Sequence, residues 1–118
     1  VPSVSRANLF ADIPANLPAE LMEALCHSEC VRVERIVSRG HTSPAGFWYD
    51  QPQHEFVLLV SGGARLEFAD GTPSPELVAG DWLVIPAHRK HRVAWTDPER
   101  ETVWLAVHFD SQGARSRP

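Results

Sequence analysis

Two histidines, His88 and His91, stand just past a short apolar run, Trp82 to Ile85, that Pro86 brings to a stop. Proline has no N–H to give to a ladder, so a strand ends there. Neutral imidazole near pH 7 can ligate a metal or move a proton. Upstream, Glu55 opens the apolar run Phe56 to Val60. If Val57 and Leu59 face inward, so does Glu55, because side chains alternate across a strand. A carboxylate taken inside is costly unless it is paired or binds a cation. By the same alternation His91 shares a face with Val93 and Trp95. Glu55 and His91 are therefore the leading candidates for holding a divalent metal. Asp50 and Gln51 compete to be a further oxygen donor: an Asp oxygen is the commoner ligand for Mn, Fe or Zn, whereas parity with Glu55 favours Gln51. His88 and Tyr49 are the candidates for acid–base catalysis. Each has a plainer reading: a strand-start charge for Glu55, a surface His for His91, a turn cap for Asp50, a salt-linked loop His for His88.

Other groups carry less. His41 lies in a loop that could fold over the site, His54 alternates away from Glu55, and His108 shares a face with Trp104 and Ala106 as a core or interface histidine. Phe47, Trp48, Tyr49, Trp82 and Trp95 are core aromatics that could also line a pocket for a small, partly apolar molecule. Arg89, Lys90 and Arg92 are a solvated turn or an anion-steering rim that would favour a carboxylate-bearing substrate. Cys26 and Cys30 are read as two free thiols, since no second Cys pair completes a four-ligand zinc site.

The elements that must position these groups are short. The 118 residues suit one domain, and 43% hydrophobic content is enough for one core. The net charge of −4 leaves no global basic footprint for nucleic acid. No apolar run approaches the ~20 residues that span a bilayer, and the start Val1 to Arg6 has no signal-peptide core, so a cytoplasmic protein is expected. Residues 1–29 read as an N-terminal arm and a short helix. Asn16 sits near the cap, Pro18 in the first turn, and Leu17, Leu21 and Leu25 form one stripe. Residues 30–110 read as seven or eight short strands with Gly, Asp and Pro turns, including a hairpin turn at Gly62-Gly63. Residues 111–118 read as a flexible tail. The pattern predicts an all-β jelly-roll barrel with a short N-terminal helix attached.

The stretch Gly80, five residues, Pro86, then His91 after Ala87-His88-Arg89-Lys90 resembles the second motif of the cupins, small single-domain jelly-roll barrels. His91 falls at the metal-ligand place, and His88 replaces a Gly. The first motif, His-x-His, three or four residues, Glu, six residues, Gly, is matched in its second half by Glu55 and Gly62. Its two His places fall on Tyr49 and Gln51 with a gap of three, or on Trp48 and Asp50 with a gap of four. The resemblance covers about residues 31–109. It implies a divalent transition metal (Mn, Fe, Ni or Zn) and a range of activities that includes dioxygenases, isomerases, lyases and epimerases. It also implies a homodimer paired through sheet faces, to which the apolar anchors of the arm add. Two readings stand beside the metal enzyme: a module that only binds or senses a small molecule, and a metal-free acid–base enzyme using His88, His91 and Tyr49.

Overall fold

The computed structural model describes residues 4–110; the tail expected over 111–118 lies outside the described residues. Eight strands follow in order: β1 (Leu21–His27), β2 (Val31–Ser38), β3 (His54–Ser61), β4 (Gly63–Phe68), β5 (Glu76–Val78), β6 (Trp82–Ile85), β7 (His91–Thr96) and β8 (Thr102–Phe109). They form a five-stranded sheet in the order β1-β2-β8-β3-β6 and a three-stranded sheet in the order β5-β4-β7. The β2–β8 and β3–β8 ladders put the last strand between two early ones, a jelly-roll-like arrangement.

The alternation in each strand explains the core. Val57 and Leu59 of β3, Trp104 and Ala106 of β8 and Ile85 of β6 point from the large sheet toward Ala64 and Leu66 of β4 and Leu77 of β5 in the small one. These form one buried cluster between two sheets. The chain changes sheets at Gly62, so Gly62-Gly63 is a corner and not the expected hairpin. Gly62 has φ 91°, and a Cβ there would overlap Thr102 and the Glu101 carbonyl. Only glycine fits such a position.

Two further expectations are corrected. Among the described residues there is no helix. The segment expected to be helical carries β1, whose backbone pairs with β2 from Leu21 opposite Val37 to His27 opposite Arg32, with an irregularity between Ala24 and Cys26. Helix propensity is worth only tenths of a kcal/mol per residue. The open edge of β2 offers a row of unpaired N–H and C=O groups that must find partners. The edge wins. Nor is the barrel closed: the strands form two separate hydrogen-bonded sheets, and the open flank leaves room for a cavity.

The N-terminal arm lies against β1 and β2. Arg35, 5% exposed, donates to the carbonyls of Leu9 (3.0 Å) and Ala11 (2.7 Å) and pairs with Glu23. This places Arg35 and Val37 on the arm side of β2. Arg32, Glu34 and Ile36 face between the sheets.

Candidate functional site

The cavity has a volume of about 110 Å³. Its apolar wall includes Met22, Ile36, Val57, Leu66, Ile85 and Val93, and its polar side carries Tyr49, Gln51, Glu55, His91, Glu34 and His108. The topology brings the polar set together. Glu55 lies opposite Ile85 on one side and opposite His108 on the other, so β3 places its carboxylate directly beside the β8 imidazole. His91 begins β7 in the facing sheet. It is joined to Tyr49 by a two-way backbone bridge, Tyr49 N–H to His91 carbonyl at 2.7 Å and the reverse at 3.2 Å. Their rings stack with centroids 5.5 Å apart.

Hydrogen bonding sets the two imidazoles. The His91 Nδ1 lies 2.9 Å from the Arg89 carbonyl. A carbonyl has no proton to give, so Nδ1–H donates and Nε2 is turned to the cavity. There it faces Glu55 Oε1 at 3.6 Å, too far for a good hydrogen bond. Glu55 is 6% exposed, and its Oε1 has no hydrogen-bond partner among the described residues. Burial alone would lower the basicity of His91, but the Glu55 carboxylate and the Arg89 carbonyl outweigh it and hold the pKa above the usual histidine value. The Tyr49 hydroxyl is pushed up first by burial and then by the negative charges of Glu20, Glu55 and Glu34. It stays a neutral donor.

The expected site residues thus divide. Tyr49, Gln51, Glu55 and His91 line one cavity, which selects the three-residue gap in the first motif. Asp50 and His88 pair with each other, Asp50 Oδ1 to His88 Nδ1 at 2.8 Å, on the surface. The backbone ties His88 to the same segment, its N–H donating to the Gln51 carbonyl at 2.7 Å. His88 takes φ 63°, the left-handed conformation that explains why the motif carries Gly at this place. His41 Nε2 donates to the Leu17 carbonyl at 3.0 Å, and His54 Nδ1 accepts the Ala87 N–H at 2.9 Å. Both stand outside the cavity lining. Two members of the basic cluster are neutralised locally: Arg89 lies 3.1 Å from Asp70, and Arg92 pairs with Glu67 at 2.8 Å.

Sequence reasoning missed Glu34, Arg32 and Glu20 and gave His108 little weight. In β2 the valines at 31, 33 and 37 form the obvious apolar set, so the charged set reads as solvent-facing. The charged set lines the cavity instead, while the arm docks on Arg35 of the valine face and Val31 stays exposed. For His108 the shared face with Trp104 and Ala106 was legible, but its carboxylate neighbours on β2 and β3 were not.

Among the described residues, no three His, Cys, Asp or Glu side chains stand where they could share one ion. Glu55 and His91 do offer two donors. With bonds near 2.0–2.2 Å, two ligands of one ion lie about 3.0–3.6 Å apart, and 3.6 Å separates Glu55 Oε1 from His91 Nε2. The orphaned oxygen and the free ring nitrogen fit one side of an ion, with its other positions left to ligand or water.

No protein-family model matches the sequence, and no curated protein does. Solved structures do match. A candidate mannose-6-phosphate isomerase from Ralstonia eutropha JMP134 is 49% identical, with a TM-score of 0.87 over 92% of this chain and 100% of that one. A cupin superfamily protein from Desulfitobacterium hafniense DCB-2 is 21% identical, with a TM-score of 0.68 over 84% of each chain. A cupin domain from Bordetella pertussis Tohama I is 19% identical, with a TM-score of 0.62 over 83% of this chain and 100% of that one. With two packed antiparallel sheets, a motif ending in His91, and a relative of nearly half-identical sequence over its whole length, the chain belongs to the cupin superfamily.

Proposed function

We propose that this cupin is an enzyme acting on a small molecule that carries hydroxyl or carbonyl oxygen, with a divalent transition metal held by Glu55 and His91. One observation carries the reading: a buried carboxylate oxygen without a partner among the described residues faces the ring nitrogen of a histidine whose other nitrogen is committed to a carbonyl. Two acceptors turned toward each other call for a cation between them. The ion would supply Lewis-acid polarisation of a substrate oxygen. Around it, neutral Tyr49 supplies an O–H donor and Gln51 an amide. The Trp104 indole N–H, buried without a partner among the described residues, supplies a further donor, while the apolar wall keeps bulk water out.

The isomerase name of the 49%-identical relative suggests proton movement between adjacent carbons. The charge of the cavity argues against a phosphosugar here. Glu20, Glu34 and Glu55 line it, and the one guanidinium that lines it among the described residues, Arg32, is already bonded to Glu34 at 2.9 Å. A small uncharged ligand suits it better than an anion. Elemental analysis of protein purified without an affinity tag tests the metal. About one equivalent of Mn, Fe, Ni or Zn, lost in Glu55→Gln, is the expected result; none in the wild type overturns it.

A metal-free acid–base enzyme is the second reading. It is supported by the raised proton affinity of His91 beside Glu55 and by Tyr49 and Gln51 standing where the family motif has histidines. Turnover that survives chelator favours it; ligand binding with no turnover favours a sensing module. A homodimer is proposed with either reading, since Trp82 and Val84 of β6 present exposed apolar side chains. Light scattering that gives a ~13 kDa particle would end that part.

A further inference from the structure

Outside both family motifs, the cavity holds a second carboxylate–imidazole unit, Glu34 of β2 and His108 of β8. We infer that Glu34 is a positioning residue that locks His108 in the Nε2–H form, so that His108 Nδ1 meets the ligand as a lone-pair acceptor. The inference rests on the cavity being the ligand site, as proposed above, and adds residues that the motif reading omits.

The geometry is specific. His108 Nε2 lies 3.2 Å from Glu34 Oε1. An ionised carboxylate can only accept, so the proton sits on Nε2. Behind it, Arg32 Nε donates to the other oxygen of Glu34 at 2.9 Å and holds the carboxylate in place. Glu55 Oε2, at 3.9 Å from the same Nε2, is too distant to compete. With Nε2 used, Nδ1 is the remaining nitrogen. It is buried with no hydrogen-bond partner among the described residues, on a side chain only 4% exposed that lines the cavity. An unpaired buried acceptor of this kind is expensive in a purely structural histidine. A carboxylate that fixes the tautomer of a working imidazole is a recurrent device.

The two cavity histidines are therefore held in opposite tautomers. His91 is protonated on Nδ1 and turns Nε2 inward; His108 is protonated on Nε2 and leaves Nδ1 unpaired. His91 joins Glu55 in holding the cation, whereas His108 is free to accept a hydrogen bond from the ligand's O–H or N–H group. The sheet register makes this arrangement rigid. Arg32 pairs opposite His108 and Glu34 opposite Ala106, which sets the Glu34 carboxylate diagonally against the imidazole.

Two measurements test it. In the uniformly ¹⁵N-labelled wild-type protein, long-range proton–nitrogen correlation spectra should show His108 with its proton on Nε2 and His91 with its proton on Nδ1. A His108 protonated on Nδ1, or on both nitrogens at neutral pH, overturns the inference without any variant being made. Glu34→Gln should move the His108 proton toward Nδ1; an unchanged tautomer in folded Glu34→Gln also overturns it. Co²⁺ titration separates this from the metal proposal. His108→Gln should keep Co²⁺ stoichiometry within about twofold, whereas His91→Gln loses it. Loss of Co²⁺ in both would make His108 a ligand and overturn its role as acceptor. No Co²⁺ uptake by wild type would sink the metal reading and leave the tautomer result standing.

Discussion

The same two chain segments make two carboxylate–histidine pairs, and they are opposites. Asp50 and His88 touch at 2.8 Å with side chains 41% and 68% exposed; Glu55 and His91 stand 3.6 Å apart with side chains 8% exposed. Judged by distance, the surface pair is the stronger interaction. In water, though, such a pair is worth only about 0–1 kcal/mol, because solvent serves each partner nearly as well. The buried pair cannot turn to water. Its poor contact leaves a buried carboxylate oxygen without a hydrogen bond among the described residues, and the proposed cation would meet that demand. Burial and dissatisfaction, rather than closeness, are the grounds for proposing the inner pair as the functional one.

That contrast can be broken in several ways. The largest effect should be on metal. Glu55→Gln should lower ion affinity at least about a hundredfold, since even indirect partners of a metal ligand are worth 10–100-fold; Asp50→Asn should leave it unchanged. Equal losses in both, read by metal titration, would erase the distinction. Next comes stability in chelator-treated protein. His91→Ala removes a buried ring together with its bond to the Arg89 carbonyl and its stack on Tyr49, and should cost about 3 kcal/mol in denaturant unfolding. His88→Ala should stay within about 0.5 kcal/mol.

A smaller effect should have the opposite sign. His88 spends backbone energy to hold φ 63°, so His88→Gly should stabilise the fold by up to about 1 kcal/mol. Destabilisation would show that the Asp50 contact matters more than its exposure implies.

The finest probe is Tyr49, the only tyrosine in the chain, whose ultraviolet titration reads one group. Its pKa is raised in the folded protein by burial and by Glu20, Glu55 and Glu34. The folded state thus holds this proton more tightly than the unfolded chain. The stability linked to it is fully present below the unfolded value of about 10 and is lost as pH rises through the folded one. A folded midpoint at or below the denatured one would remove the acidic cavity from the argument, and Glu55→Gln should lower the midpoint.

Much of the fold was legible. The run expected at 82–85 coincides with β6, and the run opened by Glu55 falls within β3, because alternation bounded by Gly, Asp and Pro is a local signal. Glu55 and His91 were legible too, one by parity with Val57 and Leu59, the other by its distance from Gly80 and Pro86. The helix expected between Asn16 and His27 failed because the competitor of Leu21 and Leu25 was a sheet edge ten residues downstream, which no local pattern records.

What the sequence determined alone is therefore what periodicity and turn chemistry encode: all-β character, strand positions, and a buried acid and histidine at two strand starts. The rest belongs to pairing. Only the register of β2 and β3 with β8 brings Glu34, His108 and Glu55 together, and only the bridge of Tyr49 to His91 chooses Tyr49 and Gln51 over Trp48 and Asp50. A one-residue slip in either would turn those side chains to the opposite face. Register is set by contacts between residues far apart in the chain, and that is why the site, unlike the strands, had to be seen folded.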